Sequence, residues 1–177
     1  MTIDYATEYG RLHSGTKTFS GYSILRSLGT ITTLVRSCSP ERILDYGCGK
    51  GYQYLKKRVH ESWGGLLPEC YDVGVHALSE RPEGKFDFVI CTDMMEHIAE
   101  EDVPDILRDI ASFCNPGATV FFNIATQPAR RKKLSDGRNV HLTVRPPEWW
   151  NKMILKSGIF DGLNVVSEYN NGKEVAQ

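Results

Sequence analysis

The sequence has no long apolar run and no excess of either charge, and both absences exclude classes of protein. Its longest unbroken apolar stretch, 88–91, has four residues, whereas a membrane-spanning helix needs about 20. Lys plus Arg number 21 and Asp plus Glu number 22, so the formal net charge is −1. Because phosphate binding needs a cationic excess, this balance makes a nucleic-acid partner unlikely. We therefore expect neither a membrane segment nor a protein whose main role is to coat nucleic acid.

The five cysteines are scattered, and the sequence contains no C-x-x-C pair. An odd, scattered set is typical of reduced thiols, so we expect no disulfide framework, no zinc site and no other metal. The first residues, 1–5, have neither a basic start nor an apolar stretch, which predicts a cytoplasmic protein without a secretory signal. With no repeat and no linker, 1–177 is predicted to be one domain, with an N-terminal lid and helix at 1–38 and a core at 39–177.

The spacing of apolar residues predicts helices that alternate with strands. Helical spacing covers 22–36 and 102–114, where Asp102 is placed to cap the helix. Further helices are predicted from the glycines near 51 to about His60 and over 147–157, and the polar segment 1–20 is predicted to be irregular. Strands are predicted at 42–46, 69–75, 86–92, 119–124 and 163–169. Alternation of this kind predicts an α/β fold whose mostly parallel sheet has helices on both faces.

Glycines at 47, 49 and 51 follow the first predicted strand. A turn without side chains lets the backbone approach a ligand, and a helix start beyond it offers unpaired N–H groups to an anion. A dinucleotide-binding turn, G-x-G-x-x-G, would place its third glycine at position 52, which is Tyr52 here. The spacing therefore disfavours a nicotinamide-binding protein, although it leaves that alternative open.

The G-x-G-x-G segment at 45–51, with its leading Asp45, resembles motif I of the class I S-adenosylmethionine (SAM) methyltransferases. Two later segments, 84–98 and 113–122, resemble the fourth strand with its loop and the fifth strand of that family. The resemblance covers about 41–160 and implies a Rossmann-like methyltransferase fold. It also implies SAM as the cofactor and S-adenosylhomocysteine as the product.

The resemblance also implies which residues surround SAM. Asp72, at the end of the second strand, takes the ribose position, where a carboxylate accepts from two hydroxyl donors. Met94 is expected to pack on adenine or on the sulfonium, whereas Glu96 and His97 could equally be structural. The expected cofactor-binding residues are Asp45, Tyr46, Gly47, Cys48, Gly49, Gly51, Tyr52, Asp72, Val73, Thr92, Asp93, Met94 and His97.

One segment departs from the family pattern. Only thirteen residues, 73–85, lie between Asp72 and Phe86, where the family inserts a helix and a third strand. We therefore predict a sheet that is shortened between the family's second and fourth strands. How the adenine is held stays open.

Three segments are candidates for binding the acceptor. The loop 125–145 is long for a connector, and its part from 128 onwards has six basic residues against Asp136 alone. It is either a solvated surface loop or a cationic mouth for a carboxylate, a phosphate or an acidic sugar. His141 resembles the family's acceptor-facing histidine, with a packing role as the alternative. An N-terminal segment with Tyr9 and Lys17 could form a lid. We take His141, Asp93 and Tyr9 as the candidate catalytic residues.

The predicted function is methyl transfer from SAM to a small, anionic or saccharide-like acceptor, by a monomer or homodimer. Methyltransferases of exocyclic amines in nucleic acids have an (Asn/Asp)-Pro-Pro-aromatic loop where this chain has 92–95, and cytosine-C5 enzymes need a Pro-Cys pair, which is absent. A nucleic-acid substrate is therefore a minority alternative, and a protein substrate stays open. A catalytically silent SAM-binding subunit is the remaining alternative.

Overall fold

Five parallel strands form the sheet of the computed structural model, which describes residues 3–14 and 19–170. The strands are β1 (Ile43–Tyr46), β2 (Glu69–Tyr71), β3 (Phe86–Thr92), β4 (Cys114–Ala125) and β5 (Asn164–Asn170). Their order across the sheet is β2-β1-β3-β4-β5. All five overlap the strands that apolar spacing predicts, although β2 ends before 75 and β4 begins before 119. The mostly parallel sheet is therefore confirmed.

Helices cover both faces of the sheet. The α-helices are α1 (Tyr5–His13), α2 (Leu28–Cys38), α3 (Tyr52–Leu55), α4 (Val103–Ser112) and α5 (Pro147–Leu155). Short 3-10 helices lie at Tyr22–Ser27, Val59–Trp63, His76–Leu78, Met95–His97 and Glu100–Asp102. None of the helices in the described ranges has the length and apolar content to cross a membrane.

Alternate residues of the central strand β3 divide the core into two layers, because successive strand side chains point to opposite faces. Val89 packs in one apolar cluster with Leu107 of α4 and Trp150 of α5. Its neighbour Phe88 packs in a second cluster, with Ile31 of α2. All five side chains are fully buried. The α/β architecture with helices on both faces is thus confirmed.

The segment between β2 and β3 contains no further strand and no α-helix, as its length predicts. It contains only the 3-10 helix His76–Leu78. The sheet therefore ends at β2, and its three residues form an edge strand. The carboxyl ends of β1, β2 and β3 line the candidate site.

Two predictions of local structure were wrong, and a third, the cap at Asp102, is confirmed in position only. The helix expected to reach His60 ends at Leu55, because Arg58 adopts a left-handed backbone with φ +51° and a separate 3-10 helix follows. The N-terminal segment is not irregular throughout, since α1 forms there. Asp102 occupies the cap position of α4 but makes no cap hydrogen bond with its side chain. Instead its carboxylate accepts from the Tyr5 hydroxyl at 2.6 Å.

Residues 115–117, which lie between the helix predicted over 102–114 and the strand predicted over 119–124, are part of β4. The helix ends at Ser112, and β4 already pairs with β3 at Cys114. The pairing shifts between Phe86 and Phe88, which bulges the extra residues out of register.

Candidate active site

A cavity of about 700 Å³ lies at the carboxyl ends of the strands, where ligands bind in open α/β sheets. The glycine turn, the end of β2, the loop after β3, helix α1 and the basic loop all line it. The predicted site residues on its wall are Tyr9, Tyr46, Gly47, Gly49, Asp72, Val73, Thr92, Asp93, Met94, His97 and His141. Four other predicted residues, Asp45, Cys48, Gly51 and Tyr52, are not among the residues that line it. Lys17 lies outside the described residues.

The glycine turn needs glycine for two reasons. Gly47 and Gly49 have φ of +77° and +61°, which side chains disfavour. A Cβ on Gly49 would also lie 2.4 Å from the carbonyl oxygen of Phe19, and one on Gly47 would lie 2.3 Å from Cγ of Met94. The backbone N–H of Lys50 donates to the same Phe19 carbonyl at 3.0 Å. The turn therefore packs directly against Phe19, the first residue of the described range 19–170.

Asp72 links the turn to the end of β2. Its carboxylate accepts from the backbone N–H groups of Gly49 at 2.8 Å and Gly74 at 2.9 Å. His13 of α1 lies 3.6 Å from one carboxylate oxygen. A carboxylate has about four acceptor positions, so Asp72 retains capacity for two further donors while it holds the turn.

Asp45 lies behind the turn, not on the cavity wall. One carboxylate oxygen accepts from Gln53 Nε2 at 2.9 Å and from the Tyr54 hydroxyl at 2.7 Å. The other oxygen is buried without a hydrogen-bond partner in the described part of the chain. Burial raises the pKa of Asp45 to about 6, while the hydrogen bonds from Tyr54 and Gln53 oppose the rise. Asp45 therefore ties β1 to α3.

The other three residues off the wall also have local contacts. Gly51 is the N-cap of α3 in a left-handed conformation. Cys48 is buried, and a hydrogen bond with Cys70, together with burial, raises the pKa of its thiol. Tyr52 packs its ring under the ammonium of Lys56 at 3.7 Å.

Asp93 follows β3 in a left-handed conformation, with φ +49°. Strain of this kind is uncommon for a residue with a side chain. The Asp93 carboxylate pairs with Arg26 and accepts from Asn170 Nδ2 at 2.8 Å. Both contacts join Asp93 to residues that are distant in the sequence. Residue spacing could not have predicted them.

Tyr9, His97 and His141 meet on one side of the cavity. The Tyr9 hydroxyl contacts the backbone carbonyls of His97 and Val140 at 3.0 and 3.1 Å. Burial raises the pKa of Tyr9, so the phenol stays protonated and donates. The rings of His97 and His141 meet edge to face, with centroids 4.9 Å apart.

Both histidines are neutral at ordinary pH, and each has one nitrogen bound to a carbonyl. Nδ1 of His97 lies 2.9 Å from the carbonyl of Val140, and Nδ1 of His141 lies 2.6 Å from the carbonyl of Gln127. Burial and the neighbouring His141 lower the pKa of His97 to about 3. Burial also lowers the pKa of His141. Since a carbonyl only accepts, both Nδ1 atoms carry the proton, and in the neutral ring Nε2 then carries the lone pair.

Glu96 is the residue whose role sequence reasoning left most open. Its side chain is 0% exposed, and neither carboxylate oxygen has a hydrogen-bond partner among the residues described. Burial and the nearby negative Asp93 raise its pKa well above the usual value. The backbone N–H groups of Glu96 and Ala125 lie near enough to oppose the rise, but their geometry does not make them hydrogen-bond donors to the carboxylate. A buried carboxyl without a partner is costly. The only sequence feature that points to this buried carboxyl is the position of Glu96 next to His97.

The basic loop contributes part of its charge to the cavity. Three neighbouring cations, Arg130, Arg131 and Lys132, line the wall. Elsewhere in the loop Arg138 pairs with Asp136, and Arg145 pairs with Glu100 of another segment. Half of the six basic residues therefore face the cavity, and the other half do not line it.

The chain belongs to a family of methyltransferase domains, whose model matches residues 28–156. Relatives include "Ubiquinone biosynthesis O-methyltransferase" of Ralstonia nicotianae, 27% identical over 119 residues, with 54% of this chain and 49% of the relative covered. The protein of the same name from Bordetella pertussis is 30% identical over 116 residues, covering 54% and 47%. That of Pseudomonas putida is 25% identical over 107 residues, covering 49% and 45%. The chain thus spans about half the length of these curated relatives. No solved structure matches it significantly.

Proposed function

We propose that this chain transfers a methyl group from SAM to an oxygen atom of a small anionic acceptor. The observation that carries the proposal is a single cavity that is lined by two chemically different sets of residues. One set is the glycine turn with Asp72, and the other is Arg130, Arg131 and Lys132 together with His141. Membership of the methyltransferase family implies SAM as the methyl donor.

The first set suits a nucleoside with a positively charged sulfur. The volume of about 700 Å³ lies within the range of ~300–1,000 Å³ that is common for small-molecule sites. Asp72 has acceptor capacity for the two ribose hydroxyls, and the bare turn at Gly47 and Gly49 admits the methionine part. Met94, whose Cγ lies against Gly47, offers a polarizable thioether next to that part.

The second set suits a hydroxylated anion. Three cations on one wall attract a carboxylate or a phosphate and orient it. Nε2 of His141, unprotonated because Nδ1 donates to Gln127, offers a lone pair to an acceptor hydroxyl. The names of the relatives specify O-methyl transfer, which supports oxygen as the methylated atom.

The reaction is an in-line displacement. SAM supplies an activated methyl group, the bond from oxygen to that carbon forms as the carbon–sulfur bond breaks, and the electron pair returns to sulfur. The chain's contribution is to align both reactants and to exclude water from between them. Helix α1 and Phe19, which line the cavity, serve this exclusion, and the Phe19 carbonyl accepts from the backbone of the glycine turn.

The test has two stages. First, calorimetric titrations with SAM, S-adenosylhomocysteine and NAD⁺ should show binding of the first two only. Second, turnover is measured on hydroxylated aromatic carboxylates and on their methyl esters, with detection of the methyl gain by mass. We expect the carboxylates to be methylated faster than the esters. Binding of NAD⁺ in place of SAM, or SAM binding without turnover on any acceptor, would contradict the proposal.

Matched variants test the cationic set. Arg131→Gln removes a cation on the cavity wall, whereas Lys133→Gln removes a neighbouring exposed cation that is not on the wall. We expect R131Q to raise the KM for a carboxylate acceptor by about tenfold and K133Q to leave it unchanged. Equal effects would show that the loop acts only through its overall charge.

A further inference from the structure

Three side chains beside the cavity converge on one point. Glu96, His97 and His141 each offer one ligand atom, and these three atoms all lie within 4.8 Å of one another. Two imidazoles and one carboxylate form a donor set that binds divalent transition metals in many proteins. The scattered cysteines argue against a thiolate metal site, but this set needs no cysteine.

The unpartnered carboxylate is an independent indication of a ligand. Glu96 is completely buried, yet neither of its oxygens has a hydrogen-bond partner within the described ranges. Buried polar groups are nearly always satisfied. A protonated carboxyl would not resolve the problem, because its proton would also need an acceptor. A cation between Glu96 and the two imidazoles would satisfy it.

Both histidines have one ring nitrogen held by a backbone carbonyl. Nδ1 of His97 donates to the Val140 carbonyl, and Nδ1 of His141 donates to the Gln127 carbonyl. Metal-binding histidines commonly donate their other ring nitrogen to a carbonyl or a carboxylate, which fixes the tautomer and the ring. Here this arrangement occurs twice, and it assigns the lone pair of each neutral ring to Nε2.

We propose that Glu96, His97 and His141 bind one divalent transition-metal ion, and that the acceptor's hydroxyl group occupies an open position on that ion. The role of the ion rests on the proposed methyl transfer. Binding to the ion lowers the pKa of the hydroxyl. Its proton leaves to water, the oxygen attacks the methyl carbon, and the sulfur retains the electron pair. In that case the lone pair of His141 binds the ion instead of accepting directly from the acceptor hydroxyl, and no general base is needed.

Geometry and charge both bear on the choice of ion. Two ligands of one ion with bonds of about 2.1 Å lie at most about 4.2 Å apart, so the three side chains must close by several tenths of an ångström or more. Asp93 adds negative charge nearby, whereas Arg26 and Lys132 oppose a cation. Two imidazole ligands favour Co²⁺, Zn²⁺ or Mn²⁺ over Mg²⁺, which prefers oxygen.

Cobalt provides a readout that does not depend on activity. The full chain, stripped with a chelator, is dialysed against Co²⁺ and then against Mg²⁺, and the bound ion per chain and the visible absorption are measured. We expect one Co²⁺ per chain, a visible ligand-field absorption, and weaker retention of Mg²⁺. Glu96→Gln and His141→Ala should each weaken Co²⁺ binding by at least about tenfold. His76→Ala, an exposed histidine away from the cavity wall, is the control and should bind as the unsubstituted chain does.

Two results would overturn the proposed metal site. The first is that the unsubstituted chain binds no Co²⁺, and the second is that E96Q and H141A both bind Co²⁺ as tightly as the unsubstituted chain. If E96Q does not fold, H141A still decides, because His141 is only partly buried. A SAM titration of the metal-free chain separates the two proposals. A chain that binds SAM but no Co²⁺ refutes the metal site alone, whereas a chain that does not bind SAM refutes the proposed function.

Discussion

Substitution of Asp72 by asparagine tests the proposed cofactor site directly. The Asp72 carboxylate already accepts from Gly49 and Gly74, and its side chain is only 13% exposed. Asparagine has nearly the same shape, but it replaces one acceptor oxygen with a donor and removes the charge. Alanine would be a poorer choice, because it would also release both backbone N–H groups and loosen the turn.

The size of the effect follows from the hydrogen bonds lost. If both ribose hydroxyls donate to Asp72, asparagine loses at least one charge-assisted bond, which contributes about 1.5–3 kcal/mol. This corresponds to a Kd for SAM that is about 10- to 150-fold higher. The amide donor would also face a backbone N–H group, so we expect a loss of about 1–3 kcal/mol in the free energy of unfolding.

Calorimetry of SAM and S-adenosylhomocysteine measures the first effect, and urea unfolding measures the second. Asp105→Asn is the control, because Asp105 lies on α4 with a side chain that is 78% exposed. It should change neither quantity. A folded D72N chain that binds SAM within about twofold of the unsubstituted chain would refute the ribose assignment.

Three further outcomes are expected. Gly49→Ala should cost at least about 2 kcal/mol more than Gly117→Ala in urea unfolding, because both glycines have positive φ but only at Gly49 would a Cβ meet a backbone atom, the Phe19 carbonyl; equal losses would contradict this reasoning. Burial raises the pKa of Asp45 to about 6, so its contribution to the free energy of unfolding is complete below pH ~4 and falls by about 3 kcal/mol as the pH rises through 6. The free energy of unfolding of Asp45→Asn should lack this pH dependence, and a variant with the same pH profile as the unsubstituted chain would contradict the assignment to Asp45. Tyr9→Phe should lower the free energy of unfolding by about 1–2 kcal/mol and reduce kcat less than tenfold, whereas a larger loss in a folded chain would assign the phenol a direct role in transfer.

Sequence patterns predicted the sheet well because the signals are local. Strand positions follow from short apolar runs. The turn at Gly47 and Gly49 follows from its glycines, because a positive φ and a close approach of other atoms both require a residue without a side chain. The absence of the family's third strand was predictable from the length of 73–85. By contrast, the end of α3 depends on Arg58, whose left-handed backbone has no distinct residue signal. Helix α1 has a mostly polar sequence, and its buried Tyr9 packs with Leu134 and Val140, far along the chain.

The candidate site divides in the same way. Gly47, Gly49 and Asp72 are placed by a motif and by strand ends, and the structure puts all three on the cavity wall. Asp45 lies in the same motif, yet its side chain points behind the turn, which no spacing rule reveals. The pairing of Arg26 with Asp93 joins residues that are 67 positions apart. Contacts of this kind arise from packing, so only coordinates could reveal them.

The abbreviated edge of the sheet has a consequence for association between chains. An exposed edge strand is a template on which another polypeptide can add a strand. With β2 reduced to Glu69–Tyr71, an incoming strand would find only a few backbone groups to pair with, too few to hold it. The short edge strand therefore also disfavours growth of the sheet into fibres from that side.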